Sequence, residues 1–485
     1  MSPSASSHGA ATVTPRIGGL WTLLLVLLLS GLALLLRLNG LGSQSLWWDE
    51  VSSWQQARLD WNGLLAATAA DNYPPLHNLL LHLSMLALGD SAFALRLPSA
   101  LLGALAIPAL YWTGSLIAGR PAALIAAGLL SVSSFHLWYS QEARMYALFC
   151  LATLLFAGSA LQFARRGGLG WGTASVLAGT ALFYSHPYGA LNWATLLLAV
   201  GLWLRAERGC RATWRFGLVQ LPALLLFAPW ALILMGRARV IAASGFWIPP
   251  LSPSTLLEYF EVLLSGPGLL ATLLMGLLLA VAPLIAPPRP RVLAAVDRDT
   301  PPALSRRAAL LLLLGWGLLP AAVAVVISLL TEPVLFTRYL IGSLPALLLL
   351  AGMGFSRLPR GALGLAGLLG LAAAAIIGLL HFGLGERDDF RDVAARLAAE
   401  LEPGDCVVMS PESRIAMNYY NRAGFHCLAV VPRPAEAAFG DLHPQRIFLI
   451  ETGVDQSANF DLAALGRVVM SEDFGPTRLL LISPR

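Results

Sequence analysis

The sequence contains no lysine, so its 32 basic residues are all arginine. A phosphate held by a charged side chain here therefore meets a guanidinium, which can grip it through two parallel N–H groups. Charge of either sign is scarce, at 12% of residues, while 57% are hydrophobic and the mean hydropathy is +0.70. A soluble globular chain of 485 residues has no use for so much apolar surface, which leaves a polytopic membrane protein. The net charge of +5 does not point to nucleic acid, because the arginines cluster in short loops between apolar runs, where they orient helices. Cysteine is also sparse: Cys150, Cys210, Cys406 and Cys427, with no metal-motif spacing among them.

What is present is a series of apolar segments. Eleven can span, at roughly 18–37, 93–118, 121–138, 145–164, 171–188, 190–204, 216–236, 267–287, 308–330, 339–356 and 361–382. The first is too long for a signal-peptide core and reads as an uncleaved span after a disordered cytoplasmic tail, 1–16. A further stretch, 75–89, has 15 residues, includes His77 and His82, and falls short of the roughly 20 residues that cross a ~30 Å hydrocarbon core. If it lies on the surface, 15 loop arginines fall inside and 7 outside, leaving apart 10 in the C-terminal segment; if it spans, the split becomes 6 and 16. The positive-inside rule selects the first arrangement. That places the N-terminus in the cytoplasm and the segment 386–485 on the outer face of the plasma membrane, periplasmic or extracellular. The first outer loop, 39–91, then carries two amphipathic surface helices, "DEVSSWQQARLDW" and 75–89.

The segment 386–485 holds 15 of the 27 acidic residues. It alternates helical stretches ("DDFRDVAARLAAEL", "ESRIAMNYYNRAG") with short apolar runs ("CVVMS", "CLAVV", "RIFLIET", "RLLLISP"), the pattern of a small α/β domain. It has no Gly-rich phosphate loop and hence no nucleotide site. Were "CVVMS" and "CLAVV" neighbouring parallel strands, Cys406 and Cys427 would be candidates for a disulfide, with two separate buried thiols the equal alternative. The expected class is thus an α-helical polytopic membrane protein, 17–385, with a small outer α/β domain.

In this topology the polar residues gather on one face. The first outer loop brings Asp49, Glu50, Asp71, Tyr73 and His77; "WYSQEARMY" brings Tyr139, Glu142 and Arg144; "YSHPYG" brings His186. "GRARV" adds Arg237 and Arg239, "EPVLFTRYL" adds Arg338 and Tyr339, and Arg96 follows the first loop. Ionisable groups near membrane depth are costly and point to function. Carboxylates facing arginines under aromatic rings suit an anionic lipid and a general base. Asp49 would remove a proton from an attacking hydroxyl, or else cap a helix starting at Val51. Glu50 reads as its support or as a first-turn acid complementing the helix dipole. Asp71 reads equally as a turn starter before Pro-Pro, while Arg96 and Arg144 read equally as structural partners of the acids. His77 reads as structural, since its spacing from His82 does not place both on one metal.

In order, "LWWDE", "YPPLH", "ALRLPSALLGAL", "YSQEARMYAL" and "FTRYLIGSLPALLLLAG" resemble motifs of the polyprenyl-phosphate-sugar-dependent GT-C glycosyltransferases. The nearest resemblance is to bacterial enzymes of the protein O-mannosyltransferase and aminoarabinose transferase superfamily, over roughly 18–385. It implies transfer of a sugar from a polyprenyl-phosphate-linked donor to a protein, lipid or glycan acceptor on the outer face, with inversion. Asp49 matches the family's leading general-base position and Glu142 its second acidic position. Arg338, then Arg237, Arg239 and His186, would stabilise the leaving phosphate; relatives often have Lys-Gly where this chain has His186-Pro187. Some members use a divalent cation such as Mg or Mn, here to be shared by Asp49 and Glu142; others work without one, and no ligand motif decides between them. The alternative from another class is a lipid-linked sugar flippase, against which stand the one-sided polar cluster and the lack of an inverted repeat.

Overall fold

The computed structural model describes residues 17–244, 248–254, 256, 304–358, 388–421, 424, 427–429, 444–452 and 462–484. Hydrocarbon offers backbone groups no partner, so leucine- and alanine-rich stretches close their hydrogen bonds within helices. Those long and apolar enough to cross a membrane are α1 (Ile17–Leu38), α5 (Ala92–Ile117), α8 (Tyr146–Arg166), α10 (Tyr188–Val219), α11 (Leu221–Ser244) and α12 (Arg306–Leu330). α9 (Leu169–Ser185) is slightly shorter. The pair α6 (Arg120–Val132) and α7 (Ser134–Ser140) makes one span bent by 59°. The expected span 339–356 begins as a 3-10 turn, Thr337–Gly342, and continues as α13 (Leu344–Phe355). The expected spans 267–287 and 361–382 lie outside the described residues.

Two local features show how the chain pays for its irregularities. The bend at Ser133 frees carbonyls from the α6 ladder, and the fully buried Arg37 of α1 takes them up. Its Nη1 donates to Ser131 O at 3.2 Å and its Nη2 to Leu130 O at 3.4 Å, with His136 Nδ1 at 2.7 Å. In α10, Gly209 adopts φ +78°, a left-handed conformation that breaks the helix amid Arg205, Arg208, Arg211 and Arg215, the arginines expected in an inner loop.

The segment 39–91, expected as the first outer loop with two helices, forms three: α2 (Trp48–Ala57), α3 (Trp61–Ala69) and α4 (Leu76–Leu88). Arg58 caps the end of the first, and Asp60 starts the second by accepting the Gly63 N–H at 2.9 Å. α4 has 13 residues and is too short to span.

In the C-terminal domain, α14 (Phe390–Glu400) and α15 (Pro411–Tyr420) pack on a five-stranded sheet, with a short α16 (Leu462–Leu465). The strands are β1 (Cys406–Met409), β2 (Cys427–Ala429), β3 (Ile447–Thr452), β4 (Arg467–Phe474) and β5 (Thr477–Ser483), in the order β2-β1-β3-β5-β4. β2, β1 and β3 run parallel, and β5 and β4 close the sheet antiparallel. "CVVMS" and "CLAVV" are indeed parallel neighbours, but Cys427 pairs in register with Val407, and Cys406 is a free thiol. Burial pushes that thiol up to about 11, so it stays protonated.

This domain is fastened to the first outer loop. Arg391 of α14 donates to Gly42 O at 3.1 Å, Ser43 O at 2.9 Å and Gln44 O at 3.3 Å. Ser45 Oγ donates to Asp389 Oδ1 at 2.6 Å, and the Tyr420 hydroxyl accepts the Leu46 N–H at 2.6 Å. Trp48 packs into the domain's core, and Trp54 meets Tyr419 edge-on at 5.1 Å. Replacing Arg391 by alanine removes charged donors from three loop carbonyls and should cost about 1–3 kcal/mol. The expected sign is a lower unfolding temperature of the full chain in detergent; an unchanged one would show that the loop holds its shape alone.

Candidate active site

α2 begins at Trp48, so Asp49 lies inside its first turn and is not a helix cap, the alternative reading of the sequence. Consecutive residues on a helix point about 100° apart, and Asp49 and Glu50 accordingly meet different partners.

Glu50 is fully buried. It receives Arg96 Nε at 2.8 Å on Oε1 and Arg96 Nη2 at 2.7 Å on Oε2, a two-pronged ion pair. It also accepts the Ala143 N–H at 2.8 Å and the Trp47 N–H at 3.4 Å. Arg96 spends its other donors on Leu41 O, Gln44 O and Ser45 O, at 3.1, 2.9 and 2.8 Å. The pair ties together the loop, α2, α5 and the turn after α7. Glu142, buried in that turn, adds its negative charge to the surroundings of Arg96.

Asp49, 5% exposed, points the other way. Its Oδ2 lies 3.3 Å from Arg338 Nη1 and 3.9 Å from Arg144 Nε, yet accepts no hydrogen bond. Arg144 Nη1 also holds α2 from below, through Asp49 O at 3.3 Å and Ser53 Oγ at 3.0 Å. Burial works against the charge of both guanidinia, but Asp49 for Arg144, and Tyr146 with Asp49 for Arg338, outweigh it and raise their pKa values. Aromatic faces complete the shell. Arg144 lies 4.8 Å over Tyr73, and Arg338 lies 4.9, 5.5 and 5.7 Å over Phe336, Trp47 and Tyr146.

Behind this cluster stands a wall of rings. The hydroxyls of Tyr73 and Tyr339 are 2.7 Å apart and hydrogen-bonded, and the His186 ring sits 4.8 Å from Tyr339 and stacks on Phe149 at 5.0 Å. His186 Nδ1 accepts the Tyr188 N–H at 3.1 Å, so in the neutral ring Nε2 carries the proton, and no partner receives it. Burial, with Arg144 and Arg338 nearby, holds the ring's pKa well below the usual histidine value. Tyr139 extends the ring cluster, 4.9 Å from Tyr146.

Beyond the wall opens a cavity of about 480 Å3, lined by Tyr73, His186, Tyr188, Tyr339, Asn72, Arg237 and Glu332 at its polar end. Leu234, Ile241, Ile327 and Val334 line its apolar side. Arg237 Nη2 donates to Asn72 Oδ1 at 3.3 Å. Asp71 stands aside, accepting Gln56 Nε2 at 2.8 Å and the Asn72 N–H at 2.6 Å.

Of the residues singled out from sequence, the fold gathers Asp49, Arg144, Arg338, Tyr73, Tyr339, Tyr139 and His186 around one point, with Arg237 on the adjoining cavity. Arg239 does not join them: two residues on from Arg237 it faces roughly 200° away and is exposed. His77 is buried against Ser99, 3.4 Å from Nε2, and works as a packing residue. Sequence reasoning passed over Trp47, Tyr146, Asn72 and Tyr188, whose aromatic or amide character carries no special signal in a chain rich in interfacial rings. Among the described residues no three His, Cys, Asp or Glu side chains come together as a metal site. Arg338 and Arg144 lie 3.3 and 3.9 Å from Asp49 Oδ2, so guanidinium charge already faces that oxygen.

Two consequences are measurable. Glu50→Gln leaves Arg96 buried without its counter-charge and should cost about 3–5 kcal/mol, read as a large drop in unfolding temperature that Arg96→Met on the same background partly restores. Burial also lowers the His77 pKa to about 3 from an unfolded 6.5. The unfolded chain therefore binds the extra proton first, and stability complete above pH 6.5 is lost as pH falls toward 3. His77→Gln should flatten the decline in unfolding temperature between pH 7 and 5; an unaltered slope would locate the acid sensitivity elsewhere.

The sequence profile of the dolichyl-phosphate-mannose-protein mannosyltransferase family matches residues 72–233, from the first outer loop into α11. Among curated protein sequences none matches. Among solved structures, ArnT from Cupriavidus metallidurans in the apo state superposes with a TM-score of 0.60 at 16% identity, covering 97% of this chain and 100% of that one. The same protein bound to undecaprenyl phosphate gives 0.59 at 16% identity, with the same coverage. The Archaeoglobus fulgidus oligosaccharyltransferase tethered to an acceptor peptide gives 0.52 at 12% identity, over 88% of this chain and 69% of that one. The chain thus shares the fold of these membrane proteins, mostly helical and with a small C-terminal sheet domain, and its residues 72–233 are similar to the mannosyltransferase family.

Proposed function

We propose that the protein moves a sugar from a polyprenyl-phosphate-linked donor to an acceptor hydroxyl on the outer face of the membrane, with Asp49 as general base. The observation that carries this reading is Asp49 Oδ2: a buried carboxylate oxygen without a hydrogen bond, facing two guanidinia beside a half-polar, half-apolar cavity. The isoprenoid lies along Leu234, Ile241 and Ile327. The phosphate meets His186 Nε2–H, the Tyr73 and Tyr339 hydroxyls and Arg338, donors already in place for the charge that develops as the glycosidic bond breaks.

The phosphate also competes for Arg338. Once it takes that guanidinium, Asp49 Oδ2 is released to accept the proton of the attacking hydroxyl. Donor binding thus arms the base, and without donor the base stays paired with Arg338 and quiet. Attack comes from the face opposite the phosphate and inverts the anomeric carbon. Glu50, saturated by Arg96 and two N–H groups, serves to aim α2, and the C-terminal domain holds the loop from outside. The reaction needs no metal in this scheme, since arginine supplies the positive charge.

The test is turnover in nanodiscs with a panel of undecaprenyl-phosphate sugars and envelope extract as acceptor, followed as release of undecaprenyl phosphate with and without a chelator. Asp49→Asn should lower turnover by at least about 10²-fold while donor affinity holds, and Arg338→Ala should weaken both. Donors that bind and are translocated without being consumed would instead mark a flippase, and loss of turnover with chelator would restore the metal.

A further inference from the structure

α10 and α12 enclose a second space, unrelated to the site above. Their Tyr188 and Leu330 ends border the cavity beside His186; toward their opposite ends lies a groove of about 490 Å3. Leu198, Leu202, Leu311 and Leu319 wall it, and Glu207, Ser305 and Arg307 stand at its mouth. From the mouth to the apolar end, Glu207 to Thr195 on one helix and Arg307 to Leu319 on the other, each wall runs for about 18 Å.

Its chemistry narrows the occupant. Leu198, Leu202 and Leu311 are 52%, 59% and 62% exposed, an apolar trough open along its length. Gly315 sits on it with nothing within 4 Å of where a β-carbon would stand. At the mouth, Glu207 and Arg307 are both exposed and of opposite charge. Yet among the described residues they form no ion pair with one another or with any other group. Arg307 also opens α12, whose first turn is the positive end of a 25-residue helix. A purely anionic head group would be repelled by Glu207. A neutral one would leave both charges unanswered.

We infer that the groove holds a chain of a glycerophospholipid whose head group carries a phosphate and a primary ammonium. The phosphate lies on Arg307 and the α12 N-terminus, the ammonium on Glu207 Oε, and one acyl chain along the leucines over Gly315. The site lies in the leaflet opposite the sugar chemistry, and its lipid is a bound component that wedges the two helices lining the donor cavity.

The experiment is native mass spectrometry of the full chain in mild detergent, given equal amounts of phosphatidylethanolamine, phosphatidylglycerol or phosphatidylcholine. The unsubstituted protein should retain a single phosphatidylethanolamine about tenfold over either competitor. Glu207→Gln should erase the preference over phosphatidylglycerol while a lipid is still kept, Arg307→Gln should reduce retention of all three, and Gly315→Trp should block the trough. These residues are on the surface, so unfolding curves should match and exclude misfolding. Equal retention of the three lipids by every protein would show an annular belt only. No retention by the folded, unsubstituted protein would mean that another part of the chain fills the groove. Either result overturns the assignment, and neither touches turnover at Asp49.

Discussion

The buried pairing of Glu50 with Arg96 is the interaction on which the geometry of the candidate site depends. Bringing both charges out of water is expensive, and the cost is met only because the fork is matched and nearly every remaining donor and acceptor is used. Arg96 binds three carbonyls of the loop, and Glu50 binds the backbone of Ala143 and Trp47. One contact thus locks three segments distant in sequence into a common frame. Its net stabilisation is modest on general grounds, but its directionality sets where α2 points.

That frame allows the neighbouring residue to be the opposite kind of acid. Asp49 has charge partners without hydrogen-bond closure, a state that would be a defect in a purely structural site and is useful in a reacting one. The rings around it exclude water and strengthen every charge interaction within. Because its cations are arginines, their charge does not vary across the physiological pH range. Histidine adds no switch either: both His77 and His186 are held neutral by burial.

Much of the architecture was legible in the chain. Loop arginines argued that 75–89 lies on the surface, and its helix, with 13 residues, is shorter than a span requires. Hydropathy located α1, α5, α8 and α12 to within a few residues, and the C-terminal alternation gave an α/β domain. Less legible was whatever depends on long-range geometry. Nothing local says that Arg338 rather than Arg239 will reach Asp49, or that Arg96 will choose Glu50. Residues of one type at one depth look alike until helix phase is known, and a break such as that between Ala57 and Trp61 resets the phase. β4, half polar and mostly exposed at the sheet edge, has an apolar run of only three residues, Val468 to Met470, which is too short to mark it as a strand.

The stretch Leu41 to Ser45 is gripped by arginines from two sides, Arg96 from the membrane domain and Arg391 from the C-terminal domain. Surface loops ordinarily drift in length among related proteins. This one has no such freedom. Adding a single residue between the grip and α2 would turn the helix by about 100°, carrying Asp49 toward the place of Glu50 and out of reach of Arg338. Evolution can exchange side chains along this loop, yet its spacing is as constrained as that of a helix in the core.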